Sequence, residues 1–187
     1  VIFSGSIPAG AAPRLYADLI AKAHELGCRT FLDTSGEPLR LALAEKPYFV
    51  KPNREEAAQL VGRPVNSLAE AGSALRKLLT LGAQSAALSL GSEGLLFCAS
   101  KDAPVLFAPI VPVQLRSTVG CGDSALAGFV FGIASRYSPD DALRLAAACA
   151  EANCCADSPG AARLKDIRDL QQQVSVEMLA SRVVILD

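Results

Sequence analysis

Apolar positions along the chain fall in short blocks, separated by Gly, Pro and small polar residues. Val1-Ile2-Phe3 runs into Ser4-Gly5-Ser6 and reads as a buried strand with its turn. Leu15, Leu19, Ile20, Ala23 and Leu26 recur at helical spacing until Gly27, which predicts a helix and its stop. Residues 29–33 read as a second strand followed by the turn Thr34-Ser35-Gly36, and residues 37–45 as a short helix. Residues 48–50 form a third predicted strand, stopped by Lys51-Pro52-Asn53. Helices are predicted over 54–61 and 67–81; in the second, Ser67 and Glu70 make a capping-box pattern and Gly82 ends the run.

The second half continues the alternation. Residues 85–90 predict a fourth strand, Gly91-Ser92-Glu93-Gly94 a turn, and residues 95–98 and 105–108 a hairpin, with a further short strand over 111–113. Gly120-Cys121-Gly122-Asp123 opens an apolar helix to about Ser135. Pro139 stands in the first turn of a helix running to about Ala156, where its missing N–H costs nothing. A helix over 166–173 and a terminal strand over 183–186 complete the pattern. Strands alternating with helices predict an α/β fold with a mainly parallel sheet and helices on both faces, in a single domain over residues 1–187.

Composition narrows the function. Of 187 residues, 51 % are hydrophobic, so a core can be buried and disorder is excluded. The net charge of −1 and the absence of Trp argue against nucleic acid as a partner. No apolar run approaches the roughly 18 residues that span a bilayer, and the opening residues 1–6, with no basic stretch, do not read as a signal peptide. The chain starts in mid-strand without Met, as a piece of a longer protein would. Six cysteines, Cys28, Cys98, Cys121, Cys149, Cys154 and Cys155, contain no Cys-x-x-Cys pair, and His24 is the only histidine. Reduced thiols in a cytoplasmic protein fit this better than a zinc site.

In open α/β sheets ligands bind beyond the carboxyl ends of the strands. Three polar turns are expected there, facing one crevice: Lys51-Pro52-Asn53, Ser89 to Gly94, and Gly120 to Asp123. In the last, two glycines at the start of a helix let backbone amides approach an anion such as phosphate. Asp123 is then either a base that accepts a proton from an attacking alcohol or a helix-start carboxylate favoured by the dipole. Gly91 to Gly94 is either part of a nucleotide site or an ordinary hairpin turn, and neither a Walker A loop nor a Gly-x-Gly-x-x-Gly fingerprint is present. Asn53 and Glu56, three apart, can share one side of a helix start; Asn53 also suits a plain N-cap, and Glu56 can hold Mg²⁺ through water. Asp33 ends a strand but is also good turn chemistry, and nucleophilic catalysis by Cys121 lacks a nearby base.

Together the motifs Ser4-Gly5-Ser6-Ile7-Pro8-Ala9-Gly10, Asp33-Thr34-Ser35-Gly36, Lys51-Pro52-Asn53-Arg54-Glu55-Glu56, Ser89-Leu90-Gly91-Ser92-Glu93-Gly94 and Ser117-Thr118-Val119-Gly120-Cys121-Gly122-Asp123-Ser124 resemble, in this order, those of the ribokinase-like (PfkB) sugar kinases. The 1-phosphofructokinase and tagatose-6-phosphate kinase branch is the most similar. The resemblance implies a three-layer α/β/α fold, of which this chain is the C-terminal part, lacking the N-terminal strands and the β lid. It implies ATP-dependent phosphorylation of a ketohexose phosphate with Mg²⁺: fructose 1-phosphate, or alternatively tagatose 6-phosphate or fructose 6-phosphate, or a nucleotide-binding module without turnover.

By the same resemblance Asp123 is the general base and the Gly120, Cys121 and Gly122 amides form the anion hole. Ser89, Gly91, Ser92, Glu93 and Gly94 line the ATP site, with Lys51 and Asn53 near the phosphates and Glu56 toward Mg²⁺. Ser4, Gly5 and Ser6 line part of the sugar site. Cys121 departs from the pattern, which has a small residue such as Ala or Ser there. Without the lid, which excludes water from the reaction, the chain alone is expected to be a poor kinase or inactive. The open edge of its first strand is a surface on which a homodimer can form.

Overall fold

A computed structural model describes residues 1–179 of the chain; the strand expected over 183–186 lies outside them. The residues group into two compact units, one of Val1–Ser89 and Phe97–Val105 with Leu179, the other of Leu90–Leu96 and Leu106–Met178.

The first unit carries four strands, β1 (Ile2–Ser4), β2 (Phe31–Asp33), β3 (Phe49–Val50) and β4 (Ser85–Ser89). Each pairs in parallel with the next in chain order, with Ser4 opposite Asp33, Leu32 opposite Val50 and Val50 opposite Ala86. Parallel neighbours need a crossover, and helices supply it: α1 (Leu15–Glu25), α2 (Gly36–Leu43), α3 (Arg54–Val61) and α4 (Leu68–Leu81). Inner strands of such a sheet are buried on both faces, which is why they read as short apolar runs without alternation; β1, expected to be buried, is instead exposed at Ile2 and Ser4 and half-buried at Phe3. Leu32, Phe49, Val50 and Leu88 are all fully buried, against Ile20, Leu39, Leu43, Leu75 and Leu78 from the helices. His24 Nε2 lies 3.2 Å from Thr30 Oγ1, next to the amino end of β2 and away from the carboxyl ends of the strands. The strand β5 (Leu95–Cys98) follows, buried at all four positions.

In the second unit β6 (Leu106–Ala108) pairs antiparallel with β7 (Glu177–Met178). Helix α5 (Cys121–Ala134) packs along α6 (Pro139–Cys155), and α7 (Leu164–Gln171) packs on α6. Small residues set the α5–α6 spacing: a Cβ added at Gly128 would stand 2.7 Å from Ala146 Cα, and one at Gly132 would stand 3.1 Å from Ala142 Cα. Two expectations need correction. Residues 111–113 form no strand, because the Val111 N–H donates to the buried Glu151 carboxylate at 2.7 Å instead of to a ladder partner. The two-residue strand β7 was not predicted, since Glu177-Met178 is exposed and carries no apolar pattern.

Candidate active site

In the first unit, parallel pairing brings the carboxyl ends of successive strands side by side, and the expected residues gather there. At the end of β1, the Gly5 N–H donates to Asp33 O at 2.9 Å and the Thr34 hydroxyl donates to Gly5 O at 2.9 Å. The Tyr16 hydroxyl, 3.2 Å from Ser4 O and 3.1 Å from Gly5 O, holds the same turn from α1. Ser6 stands exposed just beyond it. At the end of β3, Lys51 Nζ lies 2.9 Å from Asp33 Oδ2. Lys51 therefore stands where the sequence suggested, but its ammonium is buried and already paired.

Asn53 and Glu56 are joined more closely than their spacing alone required. Asn53 Oδ1 accepts the Glu56 N–H at 2.9 Å, and Glu56 Oε2 accepts the Asn53 N–H at 2.8 Å, a complete capping box at the start of α3. Burial pushes the Glu56 carboxyl up from its ordinary value; the Asn53 N–H pulls it down, Asp33 and Glu55 push it up, and Lys51 pulls it down. The charges of Asp33 and Lys51 thus both reach the Glu56 carboxyl. Ser89 ends β4 beside Asn53, bridging to it in parallel, and its N–H donates to Pro52 O at 3.1 Å.

The second unit holds the two glycine turns. Gly91–Glu93 is one turn of 3₁₀ helix rather than a plain hairpin turn, closed by the Leu90 N–H donating to Gly94 O at 2.9 Å, and Gly91, Ser92 and Glu93 are exposed. The other turn begins with Gly120 in the left-handed region at φ +78°, a conformation that costs an L side chain energy. Space is short as well, since an added Cβ would come 3.3 Å from Pro159 Cβ. Helix α5 starts directly after it with no side-chain cap, the kind of helix start at which backbone amides can receive an anion. The Cys121 N–H is partly engaged with Thr118 O at 3.3 Å, which leaves the turn from Gly122 onward as the better donor. Asp123 is in that first turn and exposed.

One supporting residue escaped the sequence reading. Asn153 is 1 % exposed; its Nδ2 donates to Val119 O at 2.8 Å, and its Oδ1 accepts the Gly160 N–H at 2.7 Å. It ties the residue before the glycine turn and the loop that follows α6 to the end of α6. A lone amide in the Ala- and Cys-rich run 146–156 was the available signal, because a buried Asn needs backbone partners. Nearby, Arg116 forms an ion pair with Asp157, and its N–H donates to Cys154 O at 2.8 Å.

Among the described residues, no group of three or more His, Cys, Asp or Glu side chains is placed to hold a metal ion. Magnesium does not need one: it keeps several waters and binds through one or two carboxylates. Glu56 fits that demand, because its cap uses Oε2 and leaves the other oxygen. No described helix is long and apolar enough to cross a membrane.

The chain has counterparts among known proteins. The sequence profile of the pfkB family carbohydrate kinases matches residues 1–166. The 1-phosphofructokinase of Haemophilus influenzae is 31 % identical over 179 residues, covering 96 % of this chain and 57 % of its own length. That of Xanthomonas campestris is 39 % identical over 149 residues, covering 78 % of this chain and 45 % of its own. The crystal structure of phosphofructokinase-2 from Escherichia coli in complex with potassium superposes with a TM-score of 0.85 at 29 % identity, covering 92 % of this chain and 56 % of that one. The chain thus spans about half the length of these relatives. Motif order, parallel strand pairing and profile match agree, and the chain belongs to the pfkB family of carbohydrate kinases.

Proposed function

We propose that this chain carries the nucleotide half and the catalytic base of a cytoplasmic kinase that transfers the terminal phosphoryl group of ATP to fructose 1-phosphate, giving fructose 1,6-bisphosphate and ADP. The observation that carries the reading is the exposed Asp123 in the first turn of an uncapped helix that begins at a left-handed glycine. A helix start built only to bind phosphate gains nothing from a carboxylate, which repels it. A kinase needs both, amides for the charge on the transferring group and a carboxylate for the hydroxyl proton. Relatives named 1-phosphofructokinase, at 31 % and 39 % identity, support fructose 1-phosphate as the acceptor.

In this reading the amides of Gly120, Cys121 and Gly122 face the phosphoryl oxygens, and Asp123 accepts the proton as the sugar oxygen attacks phosphorus. Ser89 and the turn Gly91, Ser92, Glu93, Gly94 hold the nucleotide, with Asn53 beside its phosphates. Ser4, Gly5 and Ser6 contact the sugar phosphate. Lys51 acts indirectly, by holding Asp33. Mg²⁺, when bound through Glu56 and water, neutralises phosphate charge. Positioning and charge stabilisation of this kind are most of what phosphoryl transfer requires.

Calorimetric titration of the chain with MgATP tests the nucleotide half. Binding that persists in Asp123→Asn supports the assignment, and no binding by the folded chain counts against it. For the transfer step, the chain joined to the additional segment its relatives possess is assayed with fructose 1-phosphate, tagatose 6-phosphate and fructose 6-phosphate. Fructose 1-phosphate is expected to be the best acceptor, and Asp123→Asn is expected to lower the rate about 10²- to 10⁴-fold.

A further inference from the structure

Cys121 opens α5 and Cys154 lies one residue from the end of α6, and their sulfurs are 2.7 Å apart. The encounter is a property of the helix pair rather than of two side-chain rotamers. Gly128 meets Ala146 and Gly132 meets Ala142 where the helices touch. Cys121 stands seven residues before Gly128 on α5 and Cys154 eight residues after Ala146 on α6, so the line of contacts along the two antiparallel helices brings the sulfurs together at the start of α5. The Cys121 sulfur is further fixed by the Asn153 amide, whose Nδ2 stands 3.3 Å from it. Cys121 is partly exposed, whereas Cys154 is buried at 8 % exposure.

We propose that Cys121 and Cys154 are a peroxide-responsive pair that closes to a disulfide and thereby disables the glycine turn as an anion site. Cys121, being partly exposed, meets the oxidant, while burial, followed by the adjacent Cys121 sulfur, pushes the Cys154 thiol up. The Cys121 sulfur attacks one peroxide oxygen, the O–O bond breaks, and the products are a sulfenic acid and water. The Cys154 sulfur then attacks the Cys121 sulfur. The S–O bond breaks, the hydroxyl leaves with the Cys154 proton as a second water, and the S–S bond remains. Two thiols are oxidised and one peroxide is reduced to two waters.

The bond ties the first residue of α5 to α6 and removes the sulfur from its contact with Asn153, the residue that also holds Val119 and Gly160. The turn that presents the amides from Gly122 onward can then no longer adjust to a phosphate. This functional half rests on the reading of the site given above; the chemical half does not.

The test is hydrogen peroxide treatment of the chain, thiol blocking with iodoacetamide, and tryptic mass mapping. Cleavage places Cys121 in peptide 117–136 and Cys149, Cys154 and Cys155 together in peptide 145–163. The expected result is a cross-link between these two peptides, lost in Cys154→Ser, kept in Cys155→Ser and reversed by dithiothreitol. A cross-link that survives Cys154→Ser, a disulfide confined to peptide 145–163, or Cys121 carried to sulfinic acid without a cross-link overturns the pairing. Calorimetry with MgATP reads the second half: oxidation is expected to weaken binding at least tenfold, with recovery on reduction and no loss in Cys154→Ser. Equal affinity before and after cross-linking overturns the switch. Failure of the reduced chain to bind MgATP overturns the functional reading and with it the switch, while the mass map still decides the pairing.

Discussion

The Lys51 ammonium is 2.9 Å from the Asp33 carboxylate across adjacent strand ends, with the lysine side chain 3 % exposed and the aspartate 18 %. A buried charge of this kind is tolerable only while its partner remains. Lys51→Met leaves Asp33 without its counter-charge and is expected to cost about 3 kcal/mol in urea unfolding. A loss below about 1 kcal/mol, as for an exposed pair, would show that the ammonium is not held as described.

Glu151 links pH to stability. It is 4 % exposed, Oε1 accepts the Val111 N–H at 2.7 Å, and Oε2 has no hydrogen-bond partner among the described residues. Burial pushes its carboxyl from 4.5 to about 7, against the smaller pull of the Val111 N–H. Between these values the folded chain binds the proton and the unfolded chain does not. The contribution of Glu151 is therefore complete below pH 4.5 and is lost as pH rises to about 7. The loss is on the order of 3 kcal/mol. Subtracting the Glu151→Gln stability profile from that of the unsubstituted chain isolates it; a flat difference would refute the assignment.

Gly94 and Gly91 separate steric from conformational cost within one turn. At Gly94, φ is +120° and an added Cβ would stand 2.1 Å from Ala108 O, so neither backbone nor neighbour can accept a side chain. At Gly91, φ is +61° and nothing lies within 4 Å. Gly94→Ala is expected to lower stability by about 3 kcal/mol or more, and Gly91→Ala by about 1 kcal/mol. Thermal unfolding of the two variants checks the order; equal losses would contradict it.

Two capping boxes in one chain offer an internal control. Asn53 with Glu56 starts α3, and Ser67 with Glu70 starts α4. Asn53→Ala and Ser67→Ala are each expected to cost about 1 kcal/mol of stability. Only Asn53→Ala is expected to weaken MgATP binding, because only that box stands at the carboxyl ends of the strands. Parallel losses of affinity in both variants would reduce Asn53 to a cap.

Much of this was legible in the sequence because the signals were local. The Asn53–Val61 and Ser67–Leu81 segments announced their starts through side chains three residues apart, and the parallel strands through short apolar runs. The helix start after Gly120 was readable because the glycine pair and the apolar run that follows it are consecutive residues. The burial of Lys51 was not, since it depends on Asp33 coming alongside through β2–β3 pairing. Nor was the part played by Asn153, whose partners Val119 and Gly160 lie far from it along the chain on one side and close on the other. The Val111 N–H met a carboxylate forty residues away, and no strand propensity could reveal that.

The cap on α3 has a thermodynamic corollary. Eight residues are too few for a helix to persist on propensity alone, so its first turn draws on the Glu56 carboxylate for nucleation. If a ligand engages that carboxylate, the equilibrium for opening the turn must shift by the same free energy with which opening changes the ligand's affinity. Amide hydrogen exchange at Asn53 and Glu56 is then a gauge of occupancy, slowing when a ligand reinforces the turn and quickening when it draws the carboxylate away.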